Sequence, residues 1–306
     1  MRVVSLLPSA TDIVTALGCA GHLVGVTHSC DRPSHLGPDA VVTRTAVPRD
    51  ASSAAIDRFV RNAAHRGDPL YHVDEARLAA LRPDLIVTQA LCAVCAVPEA
   101  RARQVAVGLP STARVLSLTP STLTDVLAGI AKVAAALGVR ERGESLLTTL
   151  RERVAAVVAR SSRVRTRPRV ALLEWLDPPF ASGHWSPELV RLAGGLEVLG
   201  QAGMASRTTS WAEIRVARPE VLFVACCGHT TDRALEDVGP DLLEQSGAER
   251  VHAADGHRYF SRPGPQLVDS LEMLAHALHP ATHPLPAGVP AARRVLAAAP
   301  PARAIA

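Results

Sequence analysis

One phrase occurs twice in this chain and limits what it can fold into. The first copy is Arg82-Pro-Asp-Leu-Ile-Val-Thr-Gln-Ala-Leu-Cys92-Ala-Val-Cys95, and the second is Arg218-Pro-Glu-Val-Leu-Phe-Val-Ala-Cys226-Cys227-Gly228. Each opens on Arg-Pro-acid, continues as a short apolar run with β-branched residues, and ends in cysteine. Proline stops the helical patterns that precede it, Asp74 to Leu81 and Trp211 to Ala217. A bounded apolar run of this length suits a strand buried on both faces. The phrase therefore reads as two copies of a helix-to-strand unit, each delivering thiols to the carboxyl end of a strand, where open α/β sheets bind ligands. The expectation is two similar lobes facing one ligand across a cleft.

A chain of 306 residues, 48% hydrophobic and 20% charged, is globular in composition and long enough for two such lobes. The net charge of +4 is spread along it, Lys132 is the only lysine, and no basic run carries interleaved aromatics. That argues against a nucleic-acid partner. Met1-Arg-Val-Val-Ser-Leu-Leu-Pro8 lacks the apolar core of about 7–15 residues of a secretory signal. There is no lipid-anchoring cysteine, and no stretch approaches the ~18 uncharged apolar residues of a membrane span. As written, the chain is expected to stay in the cytoplasm, as a monomer, without direct membrane insertion. In that compartment its six cysteines are expected to be reduced, metal-bound or redox-active rather than structural disulfides.

Taken in order, Arg2 to Leu7 is a strand, and Pro8 opens a helix to Leu17, with Ser9 or Thr11 as N-cap and Gly18 as its stop. Leu23 to Thr27 is a second strand, ending in His28-Ser-Cys-Asp-Arg-Pro33. Ala54 to Ala64 is a helix, and Arg114 to Leu118 a further strand. From Thr122 to about Ala159 there is no proline, and Leu, Val and Ala recur at helical spacing, with Gly138 and Gly143 as points of interruption. Strand Val170 to Leu173 begins the second lobe. Ser186 and Pro187 read as N-cap and N1 of the next helix, Tyr259 to Pro265 as a turn, and Gln266 to Leu278 as a closing helix. The organisation expected is an N-terminal α/β lobe over 1–120, a linking spine helix over 121–160, a C-terminal α/β lobe over 161–280, and a fraying Pro/Ala-rich tail over 281–306. The fold class is α/β, with mostly parallel sheets.

Nucleotide and hydrolase signatures are missing: there is no Gly-Lys-Ser/Thr, no Gly-x-Ser-x-Gly, no strand followed by Gly-x-Gly-x-x-Gly, and no His-Glu-x-x-His. The chain leans towards binding over catalysis, and no catalytic set is assigned. Cys92-x-x-Cys95 reads as a buried small pair, a redox pair or half of a metal site. With Cys30 and Cys227, each after a strand, it offers four thiols from both lobes, a set suited to zinc or an iron–sulfur centre with a sensing, metal-handling or redox role. Cys226 alternates away from Cys227, and Cys19 reads as core.

Arg2-Val-Val-Ser-Leu-Leu-Pro-Ser-Ala-Thr-Asp12, Gly25-Val-Thr-His-Ser-Cys-Asp-Arg-Pro33, Arg82-Pro-Asp-Leu-Ile-Val87 and Gly183-His-Trp-Ser-Pro-Glu-Leu-Val-Arg-Leu-Ala-Gly-Gly195 together resemble a known family. It comprises the cobalamin-binding members of the class III substrate-binding proteins of ABC importers, which also include siderophore and haem binders. The resemblance spans residues 2 to about 278. It implies two α/β lobes joined by one long helix, and a corrinoid or related metal-chelate macrocycle as ligand, bound without catalysis. An importer partner follows only if the chain is exported, or if its true start lies upstream of Met1. Transport members offer Tyr to the corrin from the loop where this chain has Cys30 and Arg32.

Under that resemblance Trp175, Trp185 and Trp211 are ring platforms for a planar macrocycle or else core. His28 and His184 are donors to a metal or else hydrogen-bonded surface residues. Glu174 and Asp31 accept from corrin amides, and Arg262 holds a phosphate or propionate, unless these form ion pairs.

Overall fold

The structure, a computed structural model, describes residues 1–48, 50–90, 97–110, 112–238 and 242–295. Its contacts separate two compact units: Met1–Ala155 with Arg262–Val268, and Ala156–Ser261 with the chain from Asp269 onward.

In chain order the first unit contains β1 (Val3–Ser5), α1 (Pro8–Ala16), β2 (Leu23–Gly25), β3 (Thr43–Thr45), α2 (Ser53–Arg66), β4 (Tyr71–Val73), α3 (Glu75–Ala80), β5 (Leu85–Gln89), α4 (Glu99–Val107), β6 (Arg114–Leu118), α5 (Leu123–Leu137) and most of α6 (Arg140–Ser161). Its main sheet is parallel throughout, in the order β2-β1-β5-β6, and β3 and β4 form a separate antiparallel pair. Alternation along the strands divides the core in two. Val3, Leu85 and Val87 pack with Ile13, Ile130 and Leu147, whereas Val4 and Ile86 pack with Leu78, Ala102 and Val105. A sheet buried on both faces needs the uninterrupted apolar strands that the repeated phrase supplies.

The second unit contains β7 (Arg169–Leu176), β8 (Pro179–Ala181), α7 (Ser186–Leu192), β9 (Leu196–Glu197), β10 (Arg207–Thr208), α8 (Trp211–Ala217), β11 (Val221–Val224), α9 (Thr231–Asp237), α10 (Leu242–Ser246), β12 (Arg250–Ala253), α11 (Gln266–Leu278) and β13 (Arg293–Val295). Its parallel strands run β9-β7-β11-β12, the same order as in the first unit, with β8, β10 and β13 added antiparallel.

The repeated phrase folds the same way in both units. Arg82 and Arg218 close α3 and α8 in left-handed conformations, with φ of 43° and 47°. The acid after each proline caps the start of the unit's central strand: Asp84 accepts the backbone N–H of Arg2 at 2.6 Å, and Glu220 accepts that of Arg169 at 3.0 Å. Those two arginines return the contact, Arg2 Nε donating to Leu81 O and Arg169 Nε to Arg218 O. The Arg-Pro-acid phrase is thus a helix-to-strand joint.

Several local readings need correction. The long helical run is two helices, because Gly138 takes a left-handed φ of 74° and ends α5 after a Thr122–Asp125 capping box. The N-cap of α1 is Leu7 and that of α7 is Trp185; neither makes a side-chain cap, and Pro8 and Pro187 supply the helix start instead. Ser186 is instead turned towards Glu174, 3.4 Å away. The tail folds back as far as the structure describes it, since β13 pairs with β12.

Candidate functional site

At the carboxyl ends of the first unit's strands, the loop after β2 is knitted to α1. Thr11 Oγ1 lies 2.9 Å from Ser5 Oγ and 3.1 Å from Cys30 Sγ, and Thr27 Oγ1 lies 3.2 Å from the same sulfur. Burial pushes the Cys30 thiol up against the pull of both hydroxyls, so it is a neutral, packed thiol. His28 Nδ1 is 2.7 Å from Thr43 Oγ1, and its ring stacks on Tyr71 with centroids 5.6 Å apart. Arg262, 3% exposed, donates from Nη1 to Asp31 at 2.8 Å and stands 3.4 Å from Asp12; its Nη2 reaches Ser29 O at 3.4 Å. Arg262 and Asp31 are therefore brought together as an ion pair, one of the readings left open above, and the arginine holds the loop in place.

In the second unit, Glu174 accepts from Gly183 N at 3.3 Å and from Ser206 Oγ at 2.5 Å, so its carboxylate organises the surrounding loops. Trp185 is 5% exposed and donates from Nε1 to Phe260 O at 2.9 Å. It packs as core, one of the two readings left open for it, with its ring covered and its N–H used inside. His184 has a φ of 52° and packs its ring on Trp185 at 5.6 Å; burial lowers its basicity. Trp175 and Trp211 are half-buried at the edge of the core.

His229 was not singled out in the sequence. It follows β11 and the half-buried Cys227, packs its ring against Trp175 with centroids 4.9 Å apart, and sets Nδ1 3.1 Å from Asp237. Desolvation lowers its basicity while Asp237 opposes the shift. Its position two residues past a cysteine at a strand end was the available signal. Cys226 is buried in the core. Among the described residues no group of three or more His, Cys, Asp or Glu is placed to hold a metal, and Cys92 and Cys95 lie outside them. No described residue supports the zinc or iron–sulfur reading.

Two units with the same parallel strand order each gather polar and aromatic side chains at their strand ends, the edge at which open α/β sheets bind ligands. The chain matches the family described as Periplasmic binding protein over residues 3–254, and it belongs to that family. Its fold is shared with the periplasmic haem-binding protein RhuT from Roseiflexus sp. RS-1 in apo form, at 24% identity and a TM-score of 0.65, over 92% of this chain and 98% of that one. It is shared with the haem-binding protein BhuT in complex with two haems, at 21% identity and a TM-score of 0.65, over 92% and 98%. The vitamin B12-binding protein BtuF of Vibrio cholerae follows at 18% identity and a TM-score of 0.57, over 90% and 96%. No curated protein matches the sequence.

Family membership corrects one expectation outright. A cytoplasmic placement does not stand for a member of a family of periplasmic binding proteins. A short apolar start cannot outweigh a family match over most of the chain. No helix among the described residues is long and apolar enough to cross a membrane.

Proposed function

We propose that the chain is a carrier of a metal-chelate macrocycle, a corrinoid or a haem, which it hands to an ABC importer. The reading is carried by one observation: beside its parallel strand ends each unit presents a half-buried aromatic ring braced by an imidazole, Tyr71 by His28 and Trp175 by the buried His229. Flat rings bind the face of a planar macrocycle. The shared fold of haem and vitamin B12 binders supports the same ligand class. Of the residues expected at the site, His28, Trp175, Trp211 and His184 remain candidates for contact. Asp31, Glu174 and Arg262 act by holding the loops that carry them.

The test is titration of the purified protein with hemin and, separately, with cyanocobalamin, followed by visible spectroscopy and calorimetry. One chelate should bind with a shifted absorption band. His28→Ala and Trp175→Phe should weaken that binding at least tenfold, whereas Trp185→Phe should leave it unchanged. If neither chelate binds the wild-type protein, the reading fails.

A further inference from the structure

Four histidines of the second unit lie on β12, on α11 and in the chain just past it. His252 lies on β12 between Phe223 of β11 and Arg294 of β13, its ring stacked on Phe223 with centroids 6.3 Å apart. It is 7% exposed, and both ring nitrogens are buried without a hydrogen-bond partner. Past the end of α11 the chain turns back, and His283, 2% exposed, is inserted beneath it. His283 Nε2 is 3.2 Å from Ser161 Oγ at the end of α6, while its Nδ1 is buried without a partner. His276 Nδ1 donates to His283 O at 2.8 Å. His279 Nε2 donates to Gly194 O at 3.1 Å, and its ring lies 6.3 Å from that of His283. Beyond this plug the chain reaches β13, which pairs with β12 through His252 itself.

A buried imidazole nitrogen without a partner tolerates the neutral ring but has nowhere to place a second proton. The surrounding charges reinforce this. Arg250, Arg294 and His276 face His252, and Arg160, His276 and His279 face His283; Glu272 lies one turn before His276 on α11.

We propose that His252 and His283 form an acid-sensitive clasp that holds the returning segment, residues 279–295, on the second unit. The clasp is closed while both rings are neutral and opens when they take up protons. Burial first, and then the neighbouring cations, hold both histidines down to about 4 from an ordinary 6.5. The folded state therefore binds fewer protons than the opened one between those values. The closed form is fully favoured above pH 6.5 and loses ground as pH falls towards 4. At pH 5 the opening equilibrium should rise by up to about 30-fold for each histidine, the ratio set by those two values.

The experiment is peptide-resolved hydrogen exchange on the full chain at pH 7.5 and pH 5.0, corrected for intrinsic rates. Peptides covering β12 and residues 276–295 should lose protection at pH 5.0, while those of β1 and β5 keep theirs. His252→Phe and His283→Gln should each remove part of that acid response while far-UV circular dichroism at pH 7.5 stays native. Equal protection at both pH values, or an undiminished acid response in both variants, overturns the clasp. If the variants misfold, NMR titration of the wild-type protein decides: ordinary titration of both rings near 6.5 in the closed protein refutes the proposal, and titration only as the segment opens supports it.

Discussion

Arg262 donates to Asp31 at 2.8 Å from the same Nη1 that lies 3.4 Å from Asp12. One buried guanidinium therefore joins the loop after β2 to the helix after β1. The two acids are not equivalent, since the Asp31 side chain is 55% exposed and that of Asp12 only 9%. Arg262→Gln removes the cation from a buried carboxylate and should cost about 3 kcal/mol in urea unfolding. Asp31→Asn should cost about 1 kcal/mol or less, because a water-screened pair contributes little. Equal losses from the two variants would contradict this ranking.

Gly256 begins a wide turn in which Ser261 N donates to Gly256 O at 2.8 Å. A Cβ on Gly256 would fall well inside contact distance of the backbone of Ala225 and Cys226 at the end of β11. Gly256→Ala should therefore cost about 2 kcal/mol or more, with the displacement felt at Cys227 and His229. Gly67, with φ of 72° and open space around it, isolates the conformational effect. Gly67→Ala should cost about 1 kcal/mol. Thermal unfolding of the two variants checks the difference.

Glu197 accepts four backbone N–H groups: those of Val198, Leu199 and Gly200 on Oε1, and that of Leu172 on Oε2. Burial nevertheless pushes its carboxyl up to about 7. A raised folded value means that its contribution to stability is complete below 4.5 and is lost as pH rises through about 7. The two clasp histidines act with the opposite sign below 6.5 and together outweigh the single carboxyl, so the summed contribution rises with pH and levels off above about pH 6.5. Urea unfolding of Glu197→Gln across pH 5 to 8 should therefore show a steeper loss of stability towards pH 5 than the wild-type protein shows. An identical acid-side loss in the two proteins would contradict the assignment to Glu197.

Trp185 and Trp175 lie ten residues apart but have different tasks. Trp185→Phe gives up the N–H to Phe260 O and should cost about 1 kcal/mol, more if the carbonyl is left dry. Trp175→Phe keeps the packing edge and should change stability by less than about 1 kcal/mol. Chemical unfolding monitored by circular dichroism separates the two.

Much of the architecture was legible from pattern. The repeated phrase located β5 and β11, its prolines located the helix-to-strand joints, and each strand lies inside its sheet between two parallel neighbours. The family resemblance was equally legible, because its motifs lie in the strand-end segments that define the fold. The site was legible only as a set of residue types. Composition cannot show that Arg262 turns to Asp12 and Asp31, that Trp185 is covered, or that Cys30 is held between Thr11 and Thr27. Each depends on contacts between residues far apart in the chain.

What the sequence determined by itself is local in origin: apolar runs long enough for buried strands, prolines and left-handed stops that end helices, and a duplicated order of both. These follow from backbone sterics and from burial period, which act within a few residues. Tertiary structure decided the state of each polar group. It paired Arg262, covered Trp185, set His229 beside Trp175 and Asp237, and buried His252 and His283 without partners for their nitrogens. The physical reason is desolvation: whether an imidazole, thiol or guanidinium binds, braces or switches depends on the atoms that replace its water, and distant segments supply those atoms.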